Sequence, residues 1–411
     1  MTATLAASQA ALKVLYPKGE LPKSINKNFK GLEAMKKETD FVGESAYVAL
    51  QNANPQGSSS VFSSAQGTVY QGNYVRFNLT RVKHYGIARV DGEAAEAAVK
   101  SEGALVDLWD NETKGVATTE MSCLATYLYG TGDGVLGRTL SGTATTTVTM
   151  YSNTNMNYFE LNMSVAAVSA TGLSSTVRDS GDSARITGID RVGKTLTFAV
   201  APSTPISGLS DGDYFVRKGD HHASGVASVI IGLSEIVKGG ATPGTVHGLN
   251  RNTDPTRLAG QSKDYAGWAM EDAVVDASAL VGFQGIGTPD TMLANNLDVA
   301  AMKKSLSSKL VYNRPGSSDG KYSFSTITIE GESGPIDIIA DPFCPRNTAF
   351  LIDKSAFSLW SLKAAPHIAK LDDINFLRLS DADSYEVRFA FYGQLKCKNP
   401  GPHVKLTNWG L

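Results

Sequence analysis

Apolar and polar positions alternate most cleanly near the end of the chain. In YEVRFAFYGQL, Tyr385, Val387, Phe389 and Phe391 fall on one face and Glu386 and Arg388 on the other, the period of a strand with one buried side. YSFSTITIE, GPIDIIAD and TAFLIDK predict three more strands, so residues 321–411 are expected to be largely β. Elsewhere the period lengthens. GEAAEAAVKSEGALVDLWD places Ala95, Val99, Val106 and Trp109 near one helical face, with Glu93, Glu96, Glu102 and Asp107 mostly elsewhere. NETKG is expected to break or bend that helix, TTEMSCLATYLYG to resume it, and Gly130 to end it. GWAMEDAVVDASALVGF and DTMLANNLDVAAMKKSLSSKL predict two further helices. In the second, Asp290 or Thr291 is a candidate cap and Leu293, Leu297, Ala300 and Ala301 a candidate apolar stripe.

Between these lie shorter strands. TATTTVTM, YFELNMSVAAV and DGDYFVRKG are strand-like, and ARITGIDRVGKTLTFAVA is a hairpin with its turn near Val192–Gly193. About five short strands with frequent turns over 139–222 predict a small sandwich or barrel that interrupts a larger fold. FVGESAYVALQNA and GTVYQGNYVRFNLTRVKHYGIARV predict a long ribbon with NPQGSSSVFSSAQG as its tip. A lone ribbon is marginal in water. From Phe41 to Val75 its only charged residue is Glu44, so another protein surface is the expected support. Residues 1–38 read as an arm: lysines recur at 13, 18, 23, 27, 30, 36 and 37, and Pro17 and Pro22 interrupt any long helix. Such an arm is either a solvated terminus or a segment that orders against a neighbouring subunit.

Composition narrows the classes. The 411 residues suffice for two or three domains, and 42% hydrophobic residues allow a sizeable core. Charged residues are 19% of the chain, with a net charge of −2, where a dedicated nucleic-acid binder would be more basic. There is no run of 18 apolar residues to predict a membrane span, and the N-terminal stretch does not read as a secretory signal. Cys123, Cys344 and Cys397 fit neither a zinc spacing nor a disulfide framework, so synthesis in a reducing cytoplasm is expected.

The one run with catalytic colour is RKGDHHASG, where Asp220, His221 and His222 stand together. A metal-dependent hydrolase would use such groups. Neighbours on an extended chain point apart, however, and a catalytic zinc needs about three protein ligands besides water. The remaining histidines are scattered, so a polar loop at the end of the β unit is the favoured reading. DNETKGVATTEM has glycine at the sixth position of a calcium loop, but Lys114 and Met121 stand where ligands belong. No phosphate-binding loop, dinucleotide fingerprint or nucleophile elbow occurs, and no catalytic, cofactor or metal residue is assigned. Arg76, Arg81, Lys83, His84 and Arg89 form a basic run, followed over 91–120 by eight acidic residues against two lysines. These blocks are a solvated face, an internal pairing, or a subunit-pairing surface. On the last view Val61 and Phe62 at the ribbon tip, Arg76, Arg81 and Lys83, and Glu96 and Glu102 are candidate assembly contacts.

The order of parts resembles the major capsid proteins of tailed bacteriophages, the Hong Kong 97 fold family. Its local carriers are GLNRNTDPTRLAG, DTMLANNLDVAAMKKSL, RNTAFLIDKSAFSLW and YEVRFAFYGQLKCKNPGPHVKLTNW. The resemblance implies an α+β fold with an N-arm at 1–38 and an extended loop at 39–90. It implies a peripheral domain with its spine helix at 91–138 and 346–411, an inserted β domain at 139–222 and an axial domain at 223–345. It further implies hexamers and pentamers in an icosahedral shell around double-stranded DNA, assembled in the host cytoplasm, with scaffolding, portal and decoration proteins as possible partners and no cofactor. Some members crosslink through a lysine on the extended loop; 39–82 holds none, so noncovalent contacts are expected. A carbohydrate- or receptor-binding virion protein is the remaining alternative, resting on the 139–222 unit.

Overall fold

A computed structural model describes residues 28–91, 108–285, 287–306, 327–332, 334–370, 377–380 and 382–410. The described residues form two compact units. One comprises 28–84, 121–365 and 391–410, the other 85–120 and 366–390.

In the larger unit a six-stranded mixed sheet has the order Gln261–Asp264, Val404–Thr407, Thr348–Ile352, Thr291–Ala294, Gly334–Ala340, Ile327–Gly331. Helices Met270–Gln284 and Asn296–Leu306 supply Ala273, Val274, Ala277, Val281, Val299 and Met302 to a core shared with Met292, Leu351, Val404 and Leu406 of the sheet. The second helix is shorter than its sequence pattern suggests. TMLA forms a wholly buried strand, paired with Gly334–Ala340 on one side and Thr348–Ile352 on the other. Four residues with three apolar ones in a row have no period by which to tell helix from buried strand. The helix then starts behind Asn295, whose Oδ1 accepts the Leu297 amide at 3.0 Å, and its buried positions are Asp298, Val299 and Met302, with Leu297 exposed.

Residues 28–41, the described end of the expected arm and the start of the expected ribbon, are packed onto their own chain. Phe29 stacks on Phe343, and Leu32, Met35 and Phe41 are buried. Lys36–Glu38 pairs in parallel with Phe357–Ser361, which pairs antiparallel with residues 393–397 of the strand Ser384–Cys397. Gly31 is required there: its amide donates to Asp341 Oδ2 at 2.6 Å, and a Cβ would lie 2.2 Å from that oxygen and from the Tyr129 hydroxyl. Lys396 clamps the strand, with Nζ 2.9 Å from Glu38 and 4.3 Å from the Trp360 ring centre. Burial pushes the Glu38 carboxyl up, but hydrogen bonds from Lys396 and Lys36 outweigh it and bring the pKa to about 2.

Residues 135–217 form a closed barrel in the order Tyr214–Arg217, Val135–Ser141, Thr147–Met150, Thr195–Phe198, Ala184–Asp190, Ser164–Val168 and back to the first strand. Alternate residues fill it, among them Val148, Met150, Val165, Ile186, Leu196, Phe198 and Phe215. Closure leaves no strand edge for pairing. Asn155 Nδ2 and Tyr158 Oη bond the carbonyls of Pro342 (2.9 Å) and Phe343 (2.7 Å), fastening one barrel loop to the turn beside the mixed sheet.

The helix Leu108–Leu128 runs through NETKG without a break. A glycine costs a helix only about 1 kcal/mol, and a Cβ at Gly115 would meet nothing within 4 Å, so no packing demand bends the chain there. Thr118 and Thr119 return their hydroxyls to the carbonyls of Lys114 and Gly115. In the smaller unit Val116 and Ala117 pack against Ala88, Val387, Phe389 and Ile368. Glu386 is buried there despite its expected outward face, because Arg89 (2.7 Å) and Arg388 both bond its carboxylate. The Arg388 bond is the chief cause holding the Glu386 carboxyl below its ordinary range.

Candidate functional site

The ribbon consists of Ser45–Ala53 and Asn73–Thr80, antiparallel from Ser45 opposite Thr80 to Gln51 opposite Tyr74. Its two faces differ as period 2 requires. Val48, Phe77 and Leu79 are buried, with Ala46 and Leu50 packed beside them. They share a core with Val246 and Leu249 of the same chain, and Val246, Leu258, His247 and Arg251 line a pinched space under the ribbon. The base of the ribbon is thus supported by its own chain, not by a foreign surface as its lack of charge suggested.

The opposite face and the tip are bare. Tyr47 and Tyr74 (70% exposed) stand on the outer face. At the tip Ser58–Ser60 lead into a short helix, Phe62–Gly67, which polarity alone had read as loop. The helix has no buried residue, and it presents Val61 (54% exposed) and Phe62 (79%) beside Val69 and Tyr70 (72%). Large apolar residues grouped in this way mark an interaction surface more often than scattered ones do.

The other candidate contacts separate. Arg76 is exposed, its guanidinium 4.6 Å from the Tyr47 ring centre. Arg81 is half-buried and donates to the Gly43 carbonyl at 2.7 Å, bracing the turn before the ribbon. Strand Val82–Asp91 alternates, so Lys83 and Arg89 are exposed and His84 is buried. The basic run is therefore not one patch. Glu96 and Glu102 lie outside the described residues. Sequence reasoning missed Tyr47, Tyr70 and Tyr74; for Tyr47 and Tyr74 the signal was the alternation in SAYVALQNA and NYVRFNLT, which puts them opposite the apolar inner row, whereas Tyr70 at the tip carried none.

RKGDHHASG is exposed at 218–219 and 222–225, as a polar loop should be, but Asp220 and His221 are drawn into the protein. Asp220 accepts a short hydrogen bond from the buried Tyr127 hydroxyl, and its Oδ2 lies 3.5 Å from His84 Nε2 and 3.9 Å from Arg217 Nε. Burial first, then the Asp220 charge, pushes the Tyr127 hydroxyl well above its ordinary value. His221 is buried, its Nδ1 2.7 Å from the Asp133 carbonyl and its Nε2 3.1 Å from the carbonyl and hydroxyl of Ser175. Gly134 fits only without a Cβ, which would lie 2.4 Å from the Asp220 carbonyl. His222 is exposed. The three side chains do not converge, and among the described residues no group of three or more His, Cys, Asp or Glu is placed to hold a metal. The run instead moors the end of the barrel to the helix that carries Tyr127. No helix among the described residues is long and apolar enough to cross a membrane.

No protein-family model and no curated protein matches the chain. Solved structures do. The capsid asymmetric unit of cyanophage A-1(L) is 11% identical with a TM-score of 0.61, over 99% of each chain. The capsid of a native GTA particle is 8% identical with a TM-score of 0.54, over all of both chains. A structure from Mycobacterium phage Bobi is 11% identical with a TM-score of 0.50, again over 100% of each. The chain therefore has the mixed α+β fold of phage capsid proteins along its whole length.

Proposed function

We propose that the chain is the major capsid protein of a tailed bacteriophage, in the Hong Kong 97 manner. Copies associate as hexamers and pentamers of an icosahedral shell that encloses double-stranded DNA. The ribbon is its extended loop, the helix Leu108–Leu128 belongs to the spine, residues 223–345 form the axial domain, and the barrel is an insertion. The role is structural rather than enzymatic, and association is noncovalent, by one patch of each copy meeting a different patch of the next.

The observation that carries this is the end-to-end capsid fold combined with a ribbon that is buried at its base and bare at its apolar tip. Among the described residues nothing buries the large apolar side chains of this tip, and a neighbour that covered them would stabilise it. The hydrolase alternative is not favoured, since Asp220 and His221 are already committed to internal partners. Light scattering and negative-stain imaging of the chain, expressed with and without its scaffolding partner, test the proposal. Closed megadalton particles are expected. Metal-dependent hydrolysis lost in His221→Ala/His222→Ala, with no particle under either condition, would overturn it.

A further inference from the structure

We propose that residues 244–260 form a bracket that sets the direction of the ribbon, with Arg257 and the His247 carbonyl as its two pins. The purpose of the bracket rests on the assembly reading above; its existence does not.

Each pin holds a different strand. The ladder slips between Gln51 and Ala53, and a bulge of this kind leaves one residue outside the pairing. That residue is Asn52, and its carbonyl accepts a hydrogen bond from Arg257 Nη1 at 2.7 Å. On the other strand the Asn78 amide donates to the His247 carbonyl at 2.8 Å. Asn78 stands opposite Tyr47, five residues from Asn52, which at a strand's rise is about 17 Å. The buried inner row seats the ribbon on the body. The two hydrogen bonds, one on each strand and well separated, resist its swinging about that seat and so set its direction.

A pin is useful only if its own mounting is stiff. Arg251 is fully buried and donates to the carbonyls of Glu235 (2.8 Å), Ile236 (3.2 Å) and Pro243 (3.0 Å), and to the Glu235 carboxylate (2.9 Å). This closes the loop from 235 to 251 around one guanidinium. His247 is held at φ +47°, a left-handed conformation that few non-glycine residues adopt without support. Asp254 then caps the short helix Pro255–Ala259, accepting from the Arg257 amide, and so places the Arg257 side chain. The Arg257 pin needs no burial to act as a positioning contact; it is a charged donor on an unpaired carbonyl.

The test places spin labels at Ser59→Cys on the tip and Ser355→Cys on the body, in full-length unassembled chain; the native cysteines are buried. Double electron–electron resonance is expected to give one narrow distance distribution. Arg257→Ala should broaden it, and Arg257→Lys, which keeps a charged donor, should restore most of the narrowness. Amide exchange over 73–80 should rise about tenfold in Arg257→Ala, the loss expected for one charge-assisted hydrogen bond. Thermal unfolding separates positioning from folding, because a bracket variant keeps the parental melting temperature within a few degrees. A distribution and exchange rate unchanged in Arg257→Ala would overturn the bracket, as would exchange at the Asn78 amide that is already fast in the parental chain. Normal particles from Phe62→Asp would instead count against the assembly reading and leave the bracket to be judged on the distances.

Discussion

His247 and His403 are kept neutral by burial. For His247, burial and then the nearby Arg251 charge lower the pKa to about 4; for fully buried His403, burial brings it to about 3. Unfolded, both take up a proton near 6.5. Between those values the unfolded chain binds more protons than the folded one, so stability rises with pH there. It is fully present above pH 6.5 and is lost as the pH falls towards 4. Glu38, lowered to about 2 by its lysine partners, adds a second loss that begins below its ordinary 4.5. We expect the melting temperature to start falling below pH 6.5, and His247→Gln to flatten the slope between 6.5 and 4 in scanning calorimetry. An unchanged slope would show that His247 is not the titrating group. None of this was visible in the sequence, where scattered histidines carry no mark of burial or of a neighbouring arginine.

At the scale of elements, legibility followed periodicity. The long terminal strand, Ser384–Cys397, and the hairpin across residues 191–194 were legible because alternation over many residues admits one period. TMLA was not, since three consecutive apolar residues fit either element. The break expected at NETKG came from weighing local turn residues above the helix on either side; tertiary packing of Val116 and Ala117 overrides them. Asp220 shows the same limit for a site. Its composition was legible, but its partners Tyr127 and His84 lie far away in sequence, and only the fold brings them together. The mooring gives an element-scale prediction. Asp220→Asn keeps the size and removes the charge facing Arg217, so it should cost less than the 3–5 kcal/mol of a broken buried pair, about 1–3 kcal/mol. Hydrogen exchange should rise over 121–128 and 217–222 while the barrel strands stay protected. His222→Ala, on an exposed side chain, should stay within about 0.5 kcal/mol of the parent. Equal effects from the two substitutions in urea titrations would contradict the mooring.

At the scale of the whole molecule, the α+β capsid-type fold and the ribbon were legible, whereas the support beneath the ribbon was not. Its inner row looked like a surface waiting for another protein; the structure places Val246, Leu249 and Leu258 under it. On the proposed assembly reading, association would then fall to the tip and outer face. Burying one phenylalanine contributes about 1.5–3 kcal/mol, and every copy in a shell would repeat the contact, so a small change per subunit becomes decisive for closure. Deleting 54–67 removes the Phe62–Gly67 helix and no buried residue. The monomer should therefore keep its melting temperature, and closed particles should vanish from electron micrographs. Phe62→Asp, which puts a charge where a neighbour would exclude water, should slow assembly in light scattering with the monomer's stability unchanged. Intact shells from the deletion would mean that association runs through some other surface, and that the exposed tip is not what joins one copy to the next.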